Sequence, residues 1–164
     1  VPDLTLRLHR EGHLVANHSY DHPRRLDPAG WREQILRTEQ LIRDARVPPA
    51  PFFRPPHGQV SPALLELCHE LGYSLVLYTL LSSDWAQPGV ETVVSQAIHR
   101  VAPGGVVVLH DAGGNRKQTV EALPGIIRGL RRRGYRLVTL DRLLGPDPRP
   151  VRCARPGRPI PAPD

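Results

Sequence analysis

The sequence predicts an α/β fold in which short parallel strands are joined by crossover helices. Short apolar runs alternate along the chain with segments of helical periodicity. Residues that favour a helix start or a helix stop bound each helical segment. This alternation is typical of parallel sheets, and the chain of 164 residues, of which 40% are hydrophobic, is long enough to bury one core. We therefore expect one α/β domain over residues 1–144.

Start and stop residues define the predicted helices. A Ser or Asp cap, often with Pro at the first helical position, marks a start, and Gly marks an end. The predicted helices are residues 2–11 before Gly12, a helix after the cap Asp27, a helix from Ser61 to Gly72, and residues 119–133 before Gly134.

Apolar runs define the strands, because a strand that is buried on both faces needs no polar alternation. The predicted strands are residues 14–16, 52–54, 74–78, 106–109 and 136–140. Polar segments at residues 18–22, 54–58, 84–85 and 110–111 follow the first four strands. In a closed barrel such segments converge at the C-terminal ends of the strands, whereas an open doubly wound sheet would bring only some of them together.

Composition limits the classes of function. The net charge is +6, with Arg clusters at residues 131–133 and 149–158, which favours an anionic neighbour. Aromatic residues make up 5% of the chain and do not interleave with these clusters, so we expect no nucleic-acid partner. No run of apolar residues is long enough for a membrane span. We expect the Pro/Arg-rich residues 145–164 to form a disordered tail.

His18 and His22 are the candidate metal ligands. They stand four residues apart, and on a helical turn this spacing places two imidazoles on one face, as a shared zinc ion requires. Two His in a solvated loop are the alternative, because the spacing is common.

Three further residues could carry chemistry. His110 leaves a buried strand, where a partly desolvated imidazole can act as a general acid or simply cap the strand end. Arg54 precedes two prolines that stiffen its turn, so it could face a substrate or pair with a neighbouring acid. Asp84, beside the pocket candidate Trp85, could orient a His or lie exposed at a helix start.

Four ordered motifs resemble those of the NodB-type polysaccharide deacetylases, carbohydrate esterase family four. They are H-S-Y-D-H from His18, F-R-P-P-H-G from Phe53, S-S-D-W from Ser82 and V-V-L-H-D from Val107. The resemblance covers residues 2–144 and implies a distorted (β/α) barrel. It also implies an enzyme that hydrolyses acetyl groups from N-acetylated or O-acetylated polysaccharide, such as peptidoglycan, chitin-like oligomers or xylan.

The resemblance implies a role for each candidate residue of the first two motifs. His18 and His22 would be two of three ligands to a divalent metal, usually zinc, which activates the attacking water. Arg54 would hold the catalytic base, and the backbone N–H of His57 would stabilise the oxyanion.

In the third and fourth motifs, Trp85 and Leu109 would form the walls of a pocket for the acetyl methyl group. His110 would protonate the leaving amine, and Asp84 would tune the pKa of His110.

The chain departs from the family pattern at several places. His57 stands where the family usually has Tyr, Leu81 where an acidic residue is common, and Ser83 where Arg is common. The family's first motif, of Thr-Phe-Asp-Asp type, supplies the catalytic base and the third metal ligand and has no counterpart here. We therefore expect a barrel that lacks its first strands, incomplete at the N-terminus and inactive on its own.

Two alternatives to an enzyme remain open. One is a carbohydrate-binding pseudoenzyme that retains the groove, and the other is a basic nucleic-acid-associated domain. For the enzyme, the resemblance implies a monomer with acetylated polysaccharide as its partner. It also implies an extracellular or cell-envelope location, because the polymers lie outside the membrane.

Overall fold

The computed structural model describes residues 2–145, so the tail predicted for residues 145–164 lies outside the described part except for Gly145. The elements in chain order are α1 Pro2–Arg10, α2 Pro28–Asp44, β1 Phe52–Phe53, α3 Pro62–Glu70, β2 Ser74–Leu75, β3 Leu80–Leu81, α4 Val90–His99, β4 Val107–Val108, α5 Lys117–Arg132 and α6 Leu140–Leu144. In this part of the chain, none of the helices has the length and apolar character that crossing a membrane requires.

The predicted caps begin α2 and α3. The Asp27 side chain accepts a hydrogen bond from the N–H of Gly30, and the Ser61 side chain accepts one from Leu64. Each cap is followed by Pro at the first helical position, where the missing N–H costs nothing. The two helix starts therefore agree with the prediction from sequence.

All strand pairs within residues 2–145 are parallel. Strand β1 pairs with β2, and β3 pairs with β4. The predicted strand at residues 14–16 is reduced to one parallel bridge between Asn17 and Phe53. Asn17 nevertheless extends the ladder, because its N–H donates to the carbonyl of Phe52 and its carbonyl accepts from the N–H of Arg54, both at 3.0 Å.

The strand predicted at residues 136–140 is wrong. Residues 136–139 have no regular structure, and α6 begins at Leu140. A strand requires a neighbour for its backbone hydrogen bonds, and no strand in residues 2–145 pairs with this segment. Its apolar residues Leu137 and Val138 are accordingly 46% and 40% exposed.

Neither β3 nor α4 is predicted from the sequence. The N–H groups of Thr79 and Leu80 both donate to the carbonyl of Val106, a long-range contact that starts the β3 pairing. Gly89 precedes α4 without a side-chain cap, and the helix is rich in valine, which favours strands. These two elements therefore depend on tertiary contacts more than on local signals.

The described part of the chain contains two hydrophobic clusters. The first joins α2 and α3 to β1 and contains Trp31, Ile35, Phe53, Leu64, Leu67, Cys68 and Tyr73. The second joins α4 to α5 and contains Val93, Ala97, Ala122, Ile126 and Leu130.

Close packing of α4 against α5 depends on glycine. A Cβ atom at Gly129 would lie 2.1 Å from Cδ1 of Ile98, so a larger residue requires Ile98 to move. This contact sets the position of α5 relative to α4. The first turn of α5 contains Thr119, which contacts the polar segment at Asp84.

Candidate active site

One cavity of about 710 Å³ contains residues from all four predicted polar segments. The predicted site residues on its wall are His18, His22, Arg54, His57, Trp85, Leu109 and His110. Asp84 lies behind the wall and is 1% exposed. The four segments therefore converge, as a barrel-like arrangement of the strands requires.

The first segment, residues 18–22, is an irregular loop and not the helical turn assumed from the spacing. Ser19 and His22 have left-handed backbone conformations, with φ of 69° and 54°. Gln34 of α2 holds the loop, because its Oε1 accepts from two successive backbone N–H groups, at 2.9 and 2.7 Å, and its Nε2 donates to Asp21 Oδ2 at 2.9 Å. The folded loop places the His18 and His22 ring centroids 5.0 Å apart.

His18 is held in one tautomer. Its Nδ1 lies 2.5 Å from the carbonyl oxygen of Arg54. A carbonyl only accepts, so Nδ1 carries the proton and Nε2 of the neutral ring has a free lone pair. Burial lowers the pKa of His18 to about 4, and the nearby Arg54 guanidinium also lowers it. The pKa of His22 is lowered as well, chiefly by burial and then by His57.

These two imidazoles fit part of a divalent metal site. Metal-bound His usually donates its second ring N–H to a carbonyl or carboxylate, and His18 makes this contact. Within residues 2–145, however, no group of three or more His, Cys, Asp or Glu side chains is arranged to hold an ion. The described residues therefore supply two fitting nitrogen donors and not a complete set of protein ligands.

Arg54 follows β1 and is half-buried. Burial lowers the pKa of its guanidinium, while Tyr78 and Asp111 act in the opposite direction. Among the described residues no carboxylate forms an ion pair with Arg54. The structural ion pair considered as an alternative is therefore absent from this part of the chain, and the guanidinium faces the cavity.

A tight turn presents His57 beside Arg54. His57 and Gly58 both have left-handed conformations, with φ of 56° and 67°. The N–H of Gly58 donates to the carbonyl of Pro55 at 3.2 Å and closes the turn. Gly58 also meets Tyr78, since a Cβ atom there would lie 3.3 Å from the Tyr78 hydroxyl oxygen.

Asp84 and His110 form the best-defined polar contact of the site. Asp84 Oδ1 accepts from His110 Nδ1 at 2.8 Å and from the Ser82 hydroxyl at 2.9 Å. Asp84 Oδ2 accepts from the His110 backbone N–H at 2.7 Å and from the Thr119 hydroxyl at 2.9 Å. Asp84 is thus buried and paired, and not exposed at a helix start.

This environment keeps Asp84 ionised. Burial alone would raise the pKa of Asp84, but the hydrogen bonds from His110, Thr119 and Ser82 together lower it below its ordinary value. The carboxylate fixes the His110 proton on Nδ1. Nε2 is then the ring nitrogen left for chemistry in the cavity.

Sequence reasoning missed several residues that shape the site. Ser82 and Thr119 hold Asp84, Gln34 holds the His18 loop, and Tyr78 and Arg116 line the cavity. Thr119 lies 35 residues from Asp84 in the chain, so no local pattern links the two. A signal did exist for Ser82, which belongs to the S-S-D-W motif.

The chain resembles known enzymes over most of its length. The sequence model of the family described as polysaccharide deacetylase matches residues 1–76. A peptidoglycan-N-acetylglucosamine deacetylase of Bacillus cereus is 35% identical over 149 residues, which cover 87% of this chain and 68% of the relative. A chitooligosaccharide deacetylase of Bradyrhizobium is 34% identical over 156 residues, which cover 87% of this chain and 71% of the relative.

The fold is similar too. A family 4 carbohydrate esterase from Streptomyces lividans, solved in complex with acetate, matches with a TM-score of 0.75 and 31% identity over 81% of this chain and 68% of that chain. The predicted fold, a distorted (β/α) barrel of this type, is thereby confirmed. Sequence and fold together show that the chain belongs to the polysaccharide deacetylase family, whose members are hydrolases.

Proposed function

We propose that the cavity is the active site of a metal-dependent deacetylase that acts on polysaccharides containing N-acetylglucosamine. The observation that carries this proposal is the Asp84–His110 pair in the same cavity as the neutral imidazoles of His18 and His22. An acid on one side and metal donors on the other are what amide hydrolysis needs. The peptidoglycan and chitooligosaccharide relatives support an N-acetylated substrate, and an O-acetylated polymer such as xylan is the second candidate.

His18 and His22 would hold the divalent metal, for which zinc suits the two nitrogen donors. Such an ion supplies Lewis-acid chemistry, which lowers the pKa of water and polarises a carbonyl. His22 also lies beside His57, with ring centroids 4.6 Å apart. The backbone N–H of His57 would donate to the acetyl carbonyl oxygen as negative charge develops there.

His110 would act as the general acid. Its Nε2 would donate a proton to the sugar nitrogen as the C–N bond breaks, so that the products are a free amine and acetate. Asp84 would hold the imidazole in the required tautomer and orientation. Trp85 and Leu109 would enclose the acetyl methyl group.

Arg54 would orient a carboxylate that serves as the base. Its half-buried guanidinium interacts electrostatically with Asp111 but forms no close ion pair among residues 2–145, and such a group stabilises a negative charge placed against it. We also propose that residues 1–144 form the catalytic domain and that the protein acts outside the cell or in its envelope, where such polymers occur.

The experiment measures zinc content and acetate release together. The chain is incubated with zinc and tetra-N-acetylchitotetraose, and a His18→Ala, His22→Ala variant is compared with a His13→Ala, His69→Ala control, in which both substituted side chains are exposed. We expect about one zinc per chain in the wild type and the control, and loss of zinc in the site variant.

Two results contradict different parts of the proposal. Equal zinc content in all three proteins excludes the His18–His22 site. Zinc that depends on these residues, without acetate release, would mean a metal site that is separated from its catalytic base, so that this chain does not deacetylate on its own.

A further inference from the structure

Arg116 joins two loops of the cavity wall. It directly precedes α5, and its guanidinium donates to three backbone carbonyls: from Nε to Ala112 at 2.8 Å, from Nη2 to Gly113 at 2.7 Å, and from Nη1 to Trp85 at 3.2 Å. All four residues line the cavity. Among residues 2–145 no carboxylate pairs with Arg116, so the contacts hold backbone and do not neutralise its charge.

The Asp84–His110 contact anchors the start of each loop, but the residues that Arg116 contacts lie beyond it and outside both hydrophobic clusters. Trp85 is 52% exposed and belongs to neither hydrophobic cluster. Its short 3₁₀ segment lies between Ser83 and Gln87, which have left-handed φ values of 56° and 53°. In the second loop, Gly113 and its neighbour Gly114 have φ of 77° and 124°. Because glycine has no Cβ atom, its backbone dihedral angles are weakly restricted at these positions.

We propose that Arg116 is a positioning residue, which holds Trp85 against the loop at Gly113 and thereby fixes the width of the cavity wall that contacts the sugar. The contact with a sugar rests on the proposed function, whereas the link between the two loops does not. Three of the five N–H donors of the guanidinium are used by carbonyls, which leaves Arg116 in a supporting role and not at the reacting atoms.

The proposal predicts that lysine cannot replace arginine. A guanidinium is a planar fork with donors that point in several directions, and here those donors reach two loops at once. A Lys ammonium is a single point at the end of a flexible stem. Charge is therefore kept in Arg116→Lys, while the link between the loops is lost.

Trp85 provides a direct measurement of the link. The chain has two tryptophans, and Trp31 is 5% exposed, so acrylamide quenches mainly Trp85. The contribution of Trp31 is measured on a Trp85→Phe chain and subtracted. We expect the quenching constant of Trp85 to rise by about twofold in Arg116→Gln and in Arg116→Lys, because local opening becomes easier. It should stay unchanged in Arg131→Gln, which alters an exposed Arg in α5, the helix that follows Arg116.

Sugar affinity is measured on the same proteins by isothermal titration calorimetry with tetra-N-acetylchitotetraose. We expect the Kd to rise by about fivefold or more in both Arg116 variants and not in Arg131→Gln. Unchanged quenching in the Arg116 variants overturns the link. Raised quenching with unchanged Kd overturns the positioning role. If the unaltered chain binds no sugar, the proposed function fails, whereas the quenching still decides whether Arg116 holds Trp85.

Discussion

Asp84 holds His110 from two directions, because its carboxylate accepts from both the backbone N–H and the imidazole Nδ1 of the same residue, at 2.7 and 2.8 Å. The two contacts use different oxygen atoms of one buried side chain. The imidazole therefore has its position and its tautomer set together, and its side chain remains 27% exposed toward the cavity. This is the geometry of a carboxylate that orients a general acid, here the His110 imidazole.

Replacing Asp84 with Asn should abolish most of the activity. The amide is similar in size but neutral, and its NH₂ group cannot accept the proton of Nδ1, so His110 loses its tautomer preference. In a protein that also carries the catalytic base, we expect acetate release to fall by roughly 10²- to 10⁴-fold, the range for loss of an orienting carboxylate or general acid. Asp3→Asn, an exposed change in α1, is the control. Activity of Asp84→Asn within a factor of about two of the control would exclude Asp84 from catalysis.

Thr119→Val tests the hydroxyl that links α5 to Asp84. Valine has nearly the same shape as threonine, so the variant removes one donor to Asp84 Oδ2 and leaves the packing close to unchanged. We expect the free energy of unfolding to fall by about 1–3 kcal/mol, because a buried charged acceptor is left partly unsatisfied. Urea denaturation measures it, with Thr92→Val at an exposed position of α4 as the control. Equal losses in the two variants would show that the Thr119 hydroxyl contributes nothing specific.

The contribution of Asp84 to stability should disappear in acid. The pKa of Asp84 is lowered in the folded protein, where hydrogen bonds outweigh the effect of burial. A lowered carboxyl pKa stabilises the fold above the unfolded pKa of about 3.9, and this contribution is lost as pH falls through the folded value. We therefore expect the difference in unfolding free energy between wild type and Asp84→Asn to be constant above about pH 5 and to shrink below about pH 4. Urea titrations across this range measure the difference, and one that grows on acidification would contradict the assignment.

Local signals predict which segments meet at the site. Strand ends and helix caps depend on a few neighbouring residues, so the sequence alone places Arg54 after β1 and His110 after β4, and both line the cavity. The order of the four motifs along the chain also predicts the fold. Each strand end, helix cap and motif involves only residues that are close together in the chain.

Contacts between distant residues lie beyond such reasoning. The shape of the His18 loop depends on Gln34, which on the sequence is only a polar position of α2. Thr119 is likewise an ordinary residue of a helical pattern until α5 packs on α4. The prediction of a strand at residues 136–140 was wrong for the same reason, because an apolar run forms a strand only where a neighbouring strand accepts its backbone hydrogen bonds.

Gly58→Ala tests the turn that presents His57. Gly58 has φ of 67°. The left-handed conformation of an alanine at this position costs roughly 1–2 kcal/mol of folding free energy. Its Cβ would also lie 3.3 Å from the Tyr78 hydroxyl oxygen, so Tyr78 must shift. Gly12 is a matched control, because its φ is 87° and a Cβ there meets nothing within 4 Å.

We expect Gly58→Ala to lower the free energy of unfolding by about 1 kcal/mol more than Gly12→Ala, measured by urea denaturation. In a Tyr78→Phe background the hydroxyl is absent, so the difference between the two alanine variants should largely vanish. If it persists there, the cost at Gly58 comes from the backbone of the turn itself and not from contact with Tyr78. In either case only Gly58→Ala should weaken sugar binding, because Gly12 follows α1 and does not line the cavity.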